Sequence, residues 1–258
     1  VSDWKPDSYL KFKNERTQPA IDLVTRIQLN APGRIIDIGC GPGNSTAVLK
    51  ERWPDSDIIG LDSSAAMIRT AKDTHKDITW IAADAAGDLS PLGSFDLVFS
   101  NAALQWVPDH HVLLPKLFNM LRASGVLAAQ VPYIEKMPLH TGLRQMRASA
   151  IWQDYLVDMA GLYAMHPPSF FYGILSRLTD RIDLWQTDYI HVMDSHAAIV
   201  QWFTATGLRP YLDALPSEEL KNEFLRDFEG LVKEAYRPER NGKILFPFTR
   251  LFFIAQKS

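Results

Sequence analysis

The sequence predicts an α/β fold, a parallel sheet wrapped by helices, on three observations. From about residue 35 to residue 131, short β-branched apolar runs alternate with longer stretches of helical spacing. The first run, Ile35-Ile36-Asp37-Ile38, passes straight into Gly39-Cys40-Gly41-Pro42-Gly43-Asn44, a strand entering a glycine-rich turn at the start of a helix. Each later run ends in small or polar residues, and open α/β sheets hold their ligands just outside the carboxyl ends of their strands.

Taken in order, the strands are expected at 34–38, 57–62, 78–82, 95–100 and 125–131. Their ends present Asp37 to Asn44, Asp62-Ser63-Ser64, Asp84-Ala85 and Ser100-Asn101-Ala102. Beyond Val131 a long stretch with helical spacing (Leu143, Met146, Ile151, Leu156, Met159, Leu162) intervenes before the next strand-like segment, 188–193. That is too much chain for a simple crossover. Helices at about 195–204 and 217–236 follow, and 249–255 reads as a final strand. The expectation is one domain, 1–258, with its core at 30–131 and 188–258 and a helical cap insertion at about 135–187. There are no repeats, no low-complexity tract and no Gly/Ser linker between independent domains.

The 258 residues are 47% hydrophobic and 22% charged, an ordinary balance for a globular protein, and disorder is not expected. A net charge of -3 argues against a nucleic-acid surface built on bulk positive potential, while leaving room for a local basic pocket. Cys40 is the single cysteine, so no disulfide can form within the chain, which fits a reducing cytoplasm. No apolar run approaches a bilayer span, and Val1-Ser2-Asp3-Trp4-Lys5-Pro6 lacks the layout of a signal peptide. The expected location is cytoplasmic.

Glycines at alternate positions permit positive φ and remove Cβ atoms that would collide with a closely bound ligand. Gly-x-Gly-x-Gly departs from the dinucleotide fingerprint, because Asn44 stands where its third glycine is expected. Asp62 closes the second strand roughly 20 residues beyond the loop, where a carboxylate can accept from both hydroxyls of a ribose. Asp84, after the third strand, is placed to accept from an adenine amino group. Met67, one helical turn past Asp62, offers a soft surface for a purine face. Ribose, adenine and a glycine-cradled third moiety describe adenosyl chemistry. Plainer roles stand beside these. Asp62-Ser63-Ser64 is a good helix cap, Asp84 can cap a turn before Asp88, and Asp37 can orient the loop through hydrogen bonds. Cys40 reads as a small buried filler and Trp106 as cover for the sheet edge. The neighbouring side chains of His110-His111 diverge on a helix and suggest no metal site.

Asp37-Ile38-Gly39-Cys40-Gly41-Pro42-Gly43, Gly60-Leu61-Asp62-Ser63-Ser64, Asp84-Ala85 and Phe95-Asp96-Leu97-Val98-Phe99-Ser100-Asn101 resemble, in order, the motifs of class I S-adenosylmethionine-dependent methyltransferases. The likeness spans essentially the whole chain. Trp4-Lys5-Pro6-Asp7-Ser8-Tyr9-Leu10-Lys11-Phe12, Asn101-Ala102-Ala103-Leu104-Gln105-Trp106-Val107, Thr206-Gly207-Leu208-Arg209-Pro210-Tyr211-Leu212 and Phe246-Pro247-Phe248-Thr249-Arg250-Leu251-Phe252 are similar to segments of the trans-aconitate methyltransferases. The resemblance implies a Rossmann-like, mostly parallel seven-stranded sheet with an antiparallel last strand, 188–193 and 249–255 being the sixth and seventh. It implies methyl transfer from S-adenosylmethionine to one carboxylate of trans-aconitate, leaving S-adenosylhomocysteine, with no metal. By position, Gly39 and Gly41 then flank the methionine portion, Asp62 the ribose, and Asp84 and Ala85 the adenine, with Asn101 to Leu104 as the floor near the methyl. Arg16, Asp37, Asn44, Ser63, Met67, Asn101 and Ala102 complete the expected cofactor set.

A carboxylate acceptor has a reference pKa of about 4, so it is ionised at neutral pH and needs no general base. No catalytic residue is therefore expected, and no paired carboxylates, His-Asp dyad or metal-ligand spacing has to be invoked. A tricarboxylate needs donors for its non-reacting arms, and arginine binds carboxylate in a bidentate manner. The candidates are Gln105, Trp106, Arg147, His166, Arg209 and Tyr211, chosen from a wider set that includes Arg16, Arg144, Arg177 and Arg181. Other readings remain beside this one: a methyltransferase for another free or carrier-linked carboxylate such as a malonyl thioester, a nicotinamide-dependent dehydrogenase, or a nonenzymatic adenosyl-ligand binder. The expected partner is a small anion, without nucleic acid or membrane, and the oligomeric state is unknown.

Overall fold

The computed structural model describes residues 13–159, 163–204 and 206–258. Trp4, Tyr9 and Phe12 of the opening segment, and Leu162, lie outside these residues. The strands are β1 (Arg34–Ile38), β2 (Asp57–Asp62), β3 (Thr79–Ala82), β4 (Phe95–Asn101), β5 (Leu121–Pro132), β6 (Ile182–Met193) and β7 (Ile244–Gln256). They form one seven-stranded sheet in the order β3-β2-β1-β4-β5-β7-β6. β1 pairs in parallel with β2 and β4, β2 with β3, and β4 with β5, while β7 runs antiparallel to β5 from Gln256 opposite Val126 to Arg250 opposite Pro132. Ile35, Ile36, Leu97, Val98, Phe99, Leu127, Ala128 and Ala129 are fully buried. Their continuous apolar runs are what a central strand covered on both faces requires.

The helices are α1 (Lys13–Arg26), α2 (Asn44–Arg52), α3 (Ala65–Thr74), α4 (His110–Asn119), α5 (Pro138–Arg147), α6 (Pro168–Leu175), α7 (His196–Thr204), α8 (Arg209–Ala214) and α9 (Glu218–Ala235). The chain divides into two compact units. The described residues of the larger are 13–132, 163–187 and 250–258, and those of the smaller 133–159, 188–204 and 206–249. In the smaller, α9 starts at the Ser217 cap, whose side chain accepts from Leu220 N at 3.3 Å, with Glu218 and Glu219 in its first turn. Its buried Phe224, Phe228 and Val232 recur every four residues and pack toward α5 and α7.

Several boundaries differ from the sequence expectation, each for a physical reason. β5 begins at Leu121 because residues 122–125 loop out opposite Asp96 before pairing resumes at Val126 opposite Leu97. Arg122 Nη1 staples that irregularity to Asp96 Oδ2 at 3.0 Å. β6 starts at Ile182 at the sheet edge, where residues 182–185 are all partly covered and show no alternation that would mark a strand in the sequence. β7 starts at Ile244 despite Pro247, which is exposed and precedes the stretch paired with β5. The helical spacing after Leu143 is not one helix. α5 ends at Arg147, and turns lead to Trp152, which is 1% exposed and donates from Nε1 to Asp227 Oδ2 at 2.8 Å. The edge of Trp152 meets the Phe224 ring at 5.2 Å. Anchoring this large side chain outweighs the local preference to continue the helix.

Candidate active site

The site begins where β1 ends. Gly39, Gly41 and Gly43 all hold left-handed φ, at 72°, 54° and 95°. Gly39 and Cys40 donate their N–H groups to Leu61 O at 2.7 and 3.0 Å, and Gly41 donates to Asp62 Oδ2 at 2.8 Å. A Cβ on Gly39 would lie 2.1 Å from the Cβ of Ala103, whereas one on Gly41 would meet no heavy atom within 4 Å. One glycine is thus demanded by protein packing, and the other faces open space.

Asp62 is held by two backbone amides, and the residue that caps α3 is Ser64 rather than Asp62 itself. Its Oδ2 ties down the glycine loop through Gly41, and its Oδ1 accepts Ser64 N–H at 2.8 Å while Ser64 Oγ caps α3 through Met67 N–H at 3.2 Å. An ionised carboxylate has about four acceptor positions, so further donors can join these two amides. Ser63 is exposed beside it, and Met67 is buried. Asp37 is fully buried, and its Oδ2 accepts the hydroxyls of Ser45 and Thr46, both at 2.7 Å, at the start of α2. Burial pushes its carboxyl up to about 6, against the pull of the two hydroxyls, and the charge of Asp62 adds to the rise. Cys40 is buried in the same loop, its thiol pushed well above the ordinary range by burial and by Asp37 and Asp62.

Ser100 Oγ donates to Ile38 O at 2.7 Å and holds the ends of β1 and β4 together. Past it, Ala102 takes a left-handed φ of 56°, donates to Gln130 O at 2.9 Å, and accepts Gln105 Nε2 at 2.6 Å. Strain of this kind in a non-glycine residue tends to be stored at functional sites. Asn101 Nδ2 donates to Arg16 O at 3.4 Å, and Arg16 is 6% exposed in α1. Asn101 Oδ1, Gln105 Oε1, Asn44 Nδ2 and Asp37 Oδ1 are buried without a hydrogen-bond partner among the described residues. Each unmet polar atom costs about 1–3 kcal/mol, so their gathering at the strand ends marks where a polar ligand would be repaid.

After β3, Asp84 is exposed, and its Oδ1 accepts Ala86 N–H at 2.8 Å, the turn-capping role foreseen for it. Ala85 is 7% exposed. Lys116 of α4 reaches this turn, donating from Nζ to Ala85 O at 2.5 Å and Gly87 O at 3.0 Å. Sequence reasoning missed Lys116, because a lysine in the last turn of a helix looks like any solvated or dipole-compensating cation.

Gln105 O accepts Ala164 N–H at 2.9 Å, and the Trp106 ring lies 4.8 Å from that of Tyr163, a neighbour the sequence did not suggest. His166 stacks on Phe170 at 3.7 Å and meets His110 edge-on at 5.2 Å. Burial holds both imidazoles below the usual histidine range, and for His166 the charges of His110 and His111 add to that effect. Arg147, Arg209 and Tyr211 belong to the smaller unit. There Tyr211 is buried against Phe224, and its hydroxyl is raised by burial while the nearby charge of Arg147 opposes the rise. Arg209 is 9% exposed, with Nε 4.0 Å from Asp213 Oδ2. Arg144, Arg177 and Arg181 are exposed. Among the described residues, no three of His, Cys, Asp and Glu come together as a metal site, and no helix is long and apolar enough to cross a membrane.

Residues 35–125 match a family model described as a methyltransferase domain. The chain is 42% identical over 252 residues to the trans-aconitate 2-methyltransferase of Azoarcus sp. (strain BH72), covering 98% of each chain. It is 41% identical over 262 residues to the protein of that name from Escherichia coli (strain K12 / DH10B), covering 100% of this chain and 99% of the relative. Among solved structures, the YcgJ protein of Bacillus subtilis superposes with a TM-score of 0.61 at 15% identity, over 93% of this chain and 98% of that one. Haemonchus contortus phosphoethanolamine N-methyltransferase 2, solved with S-adenosyl-L-methionine, gives 0.59 at 15% identity over 98% of this chain and 57% of that one. These two structures carry the same fold, and the α/β sheet with an antiparallel last strand is the one expected from the sequence.

Proposed function

Because the chain belongs to the trans-aconitate 2-methyltransferase family, we propose that it transfers the methyl group of S-adenosylmethionine to one carboxylate of trans-aconitate, giving the monomethyl ester and S-adenosylhomocysteine. The observation that carries this reading is the meeting of three left-handed glycines, one of them open to empty space, with Asp62 on the neighbouring strand. When bound, S-adenosylmethionine supplies a methyl group made electrophilic by its sulfonium. Every other contribution falls to the protein.

The residues present fit such a group. Gly41 lets the backbone come close to a methionine chain, with Gly39 packed on Ala103 beside it, and Asp62, already fixed by two amides, is assigned to the ribose hydroxyls. Asp84 and Ala85 are assigned to adenine, with Ser63 and Met67 beside the ribose and purine. Asn44, Asn101 and Ala102 supply polar atoms and a strained turn at the loop, Arg16 a buried cation, and Asp37 the anchoring of α2. Gln105, Trp106 and His166, together with Arg147, Arg209 and Tyr211, are assigned to the acid on their chemistry: amide, ring and guanidinium donors for carboxylate arms.

No side chain has to move a proton, since the acceptor is already an anion. The site's work is to align the carboxylate oxygen with the methyl carbon, and orientation of this kind is worth about 7–11 kcal/mol. We place the reaction in the cytoplasm with a small carboxylate as its partner and without nucleic acid, a reading supported by the lone buried cysteine and the net charge of -3.

The test is incubation with methyl-labelled S-adenosylmethionine and a panel of trans-aconitate, cis-aconitate, citrate, isocitrate and a malonyl thioester, following base-labile methyl ester. Preferred labelling of trans-aconitate is expected. Preferred labelling of another acid overturns the substrate, and failure to bind S-adenosylmethionine overturns the whole reading.

A further inference from the structure

We infer that Lys116 is a positioning residue for the adenine end of the cofactor site, holding the turn after β3 in its binding shape from outside that turn. The inference rests on the adenosyl reading of the site. Its Nζ bridges two carbonyls that flank Ala86, Ala85 O at 2.5 Å and Gly87 O at 3.0 Å. Within the turn, Asp84 Oδ1 accepts Ala86 N–H at 2.8 Å and Asp84 O accepts Gly87 N–H at 3.0 Å. The turn therefore closes on itself at one side and is pinned by an ammonium at the other. Asp84 spends one carboxylate oxygen on the turn, leaving Oδ2 for a donor from outside.

Two features separate this arrangement from ordinary surface pairing. Gly87 is exposed, so water can satisfy its carbonyl, and the bond from Lys116 to Gly87 O is not explained as the rescue of a buried acceptor, although Ala85 itself is buried. A lysine side chain held in one rotamer loses considerable freedom, which it recovers here through two charge-assisted bonds to backbone rather than to a mobile carboxylate. Lys116 also stands near the charges of Asp84 and Asp88. Because Lys116 sits on α4, which packs against β5, the turn is referenced to the sheet scaffold and not only to its own residues. A ligand then meets a turn already in shape, and the ordering cost has been met before binding.

The test compares wild type with Lys116→Met, which keeps the aliphatic stem, and Lys116→Arg, which keeps the charge. S-adenosylhomocysteine binding is read by calorimetry, and amide exchange of residues 84–88 is read in the ligand-free proteins. Lys116→Met is expected to bind about tenfold more weakly, with Ala86 and Gly87 amides exchanging faster and the KM for trans-aconitate changed by less than about twofold. Lys116→Arg is expected to restore most of both. Wild-type affinity in Lys116→Met, or weakened binding with unchanged exchange at the turn, overturns the inference. If Lys116→Met does not fold, Lys116→Gln takes its place under the same criteria. Failure of the wild type to bind S-adenosylhomocysteine would instead remove the adenosyl reading, and the inference with it.

Discussion

Alanine placed at Gly39 and at Gly41 should separate a glycine kept for packing from a glycine kept for a ligand. Both residues are left-handed, at 72° and 54°, so either substitution pays about 1–2 kcal/mol for the backbone conformation and recovers about 0.4–1 kcal/mol from the stiffer unfolded chain. At Gly41 that is the whole account, because the new methyl meets no atom within 4 Å. A net loss near 1 kcal/mol follows, which lowers the melting temperature by about 2–4 °C in a protein of this size. At Gly39 the new Cβ stands 2.1 Å from the Cβ of Ala103, more than an ångström inside ordinary contact. Opening that gap means moving the end of β4, an overpacking cost of about 1–3 kcal/mol on top. Gly41→Ala should therefore melt near wild type and yet bind S-adenosylhomocysteine at least about tenfold more weakly, its methyl standing where the ligand must approach. Gly39→Ala should melt well below both. Thermal melts and calorimetry on the two variants decide the matter. Wild-type affinity in Gly41→Ala would show that the open face is not the ligand's, and equal melting of the two would show that Ala103 yields easily.

Other perturbations read other parts of the site. Asp62→Ala should weaken cofactor binding by about 1.5–3 kcal/mol, the range for hydrogen bonds to a charged group, and an unchanged calorimetric affinity would remove the ribose assignment. Asp37 has its folded-state carboxyl raised from 3.8 to about 6, so its contribution to stability is fully present below pH 3.8 and is lost as the pH climbs through about 6. The size is on the order of 3 kcal/mol. Chemical denaturation of Asp37→Asn between pH 4 and 7 should show a flatter profile than wild type, and identical slopes would mean that the buried carboxyl titrates normally. Arg209→Ala should raise the KM for trans-aconitate about tenfold or more with little change in the KM for S-adenosylmethionine. If steady-state kinetics leave both constants at wild-type values, Arg209 belongs to the scaffold.

The parts of this chain legible from sequence are those whose meaning is local. β1 and β2 match the sequence expectation to the residue, because a β-branched run that closes at Ile38 before the glycines, or at Asp62, has few other readings. The capped helix after Asp62 follows from Asp-Ser-Ser itself, with Ser64 as its cap, whereas the tie from Asp62 to Gly41, 21 residues back, does not. What stayed hidden depends on partners distant in the chain. The break after Arg147 is set by Trp152 finding Asp227, 75 residues on. The irregular start of β5 is set by Arg122 and Asp96 across a strand pair, which no spacing rule reports. Lys116 was invisible for the same reason, since its partners are carbonyls and carry no side-chain signature. The left-handed Ala102 was equally hidden, because alanine ordinarily advertises helix.

Cys40 gives the glycine loop a built-in chemical reporter. Its sulfur is covered by protein, and its thiol is held protonated by burial and two nearby carboxylates, so a thiol reagent in solution finds neither access nor thiolate. Modification must wait for the loop to open. The rate of labelling at Cys40, the single thiol in the chain, therefore counts excursions of the segment between β1 and α2 without any engineered probe. A molecule that fills the loop should slow that count in proportion to its occupancy, so that binding to an otherwise silent site can be read as protection of one sulfur atom.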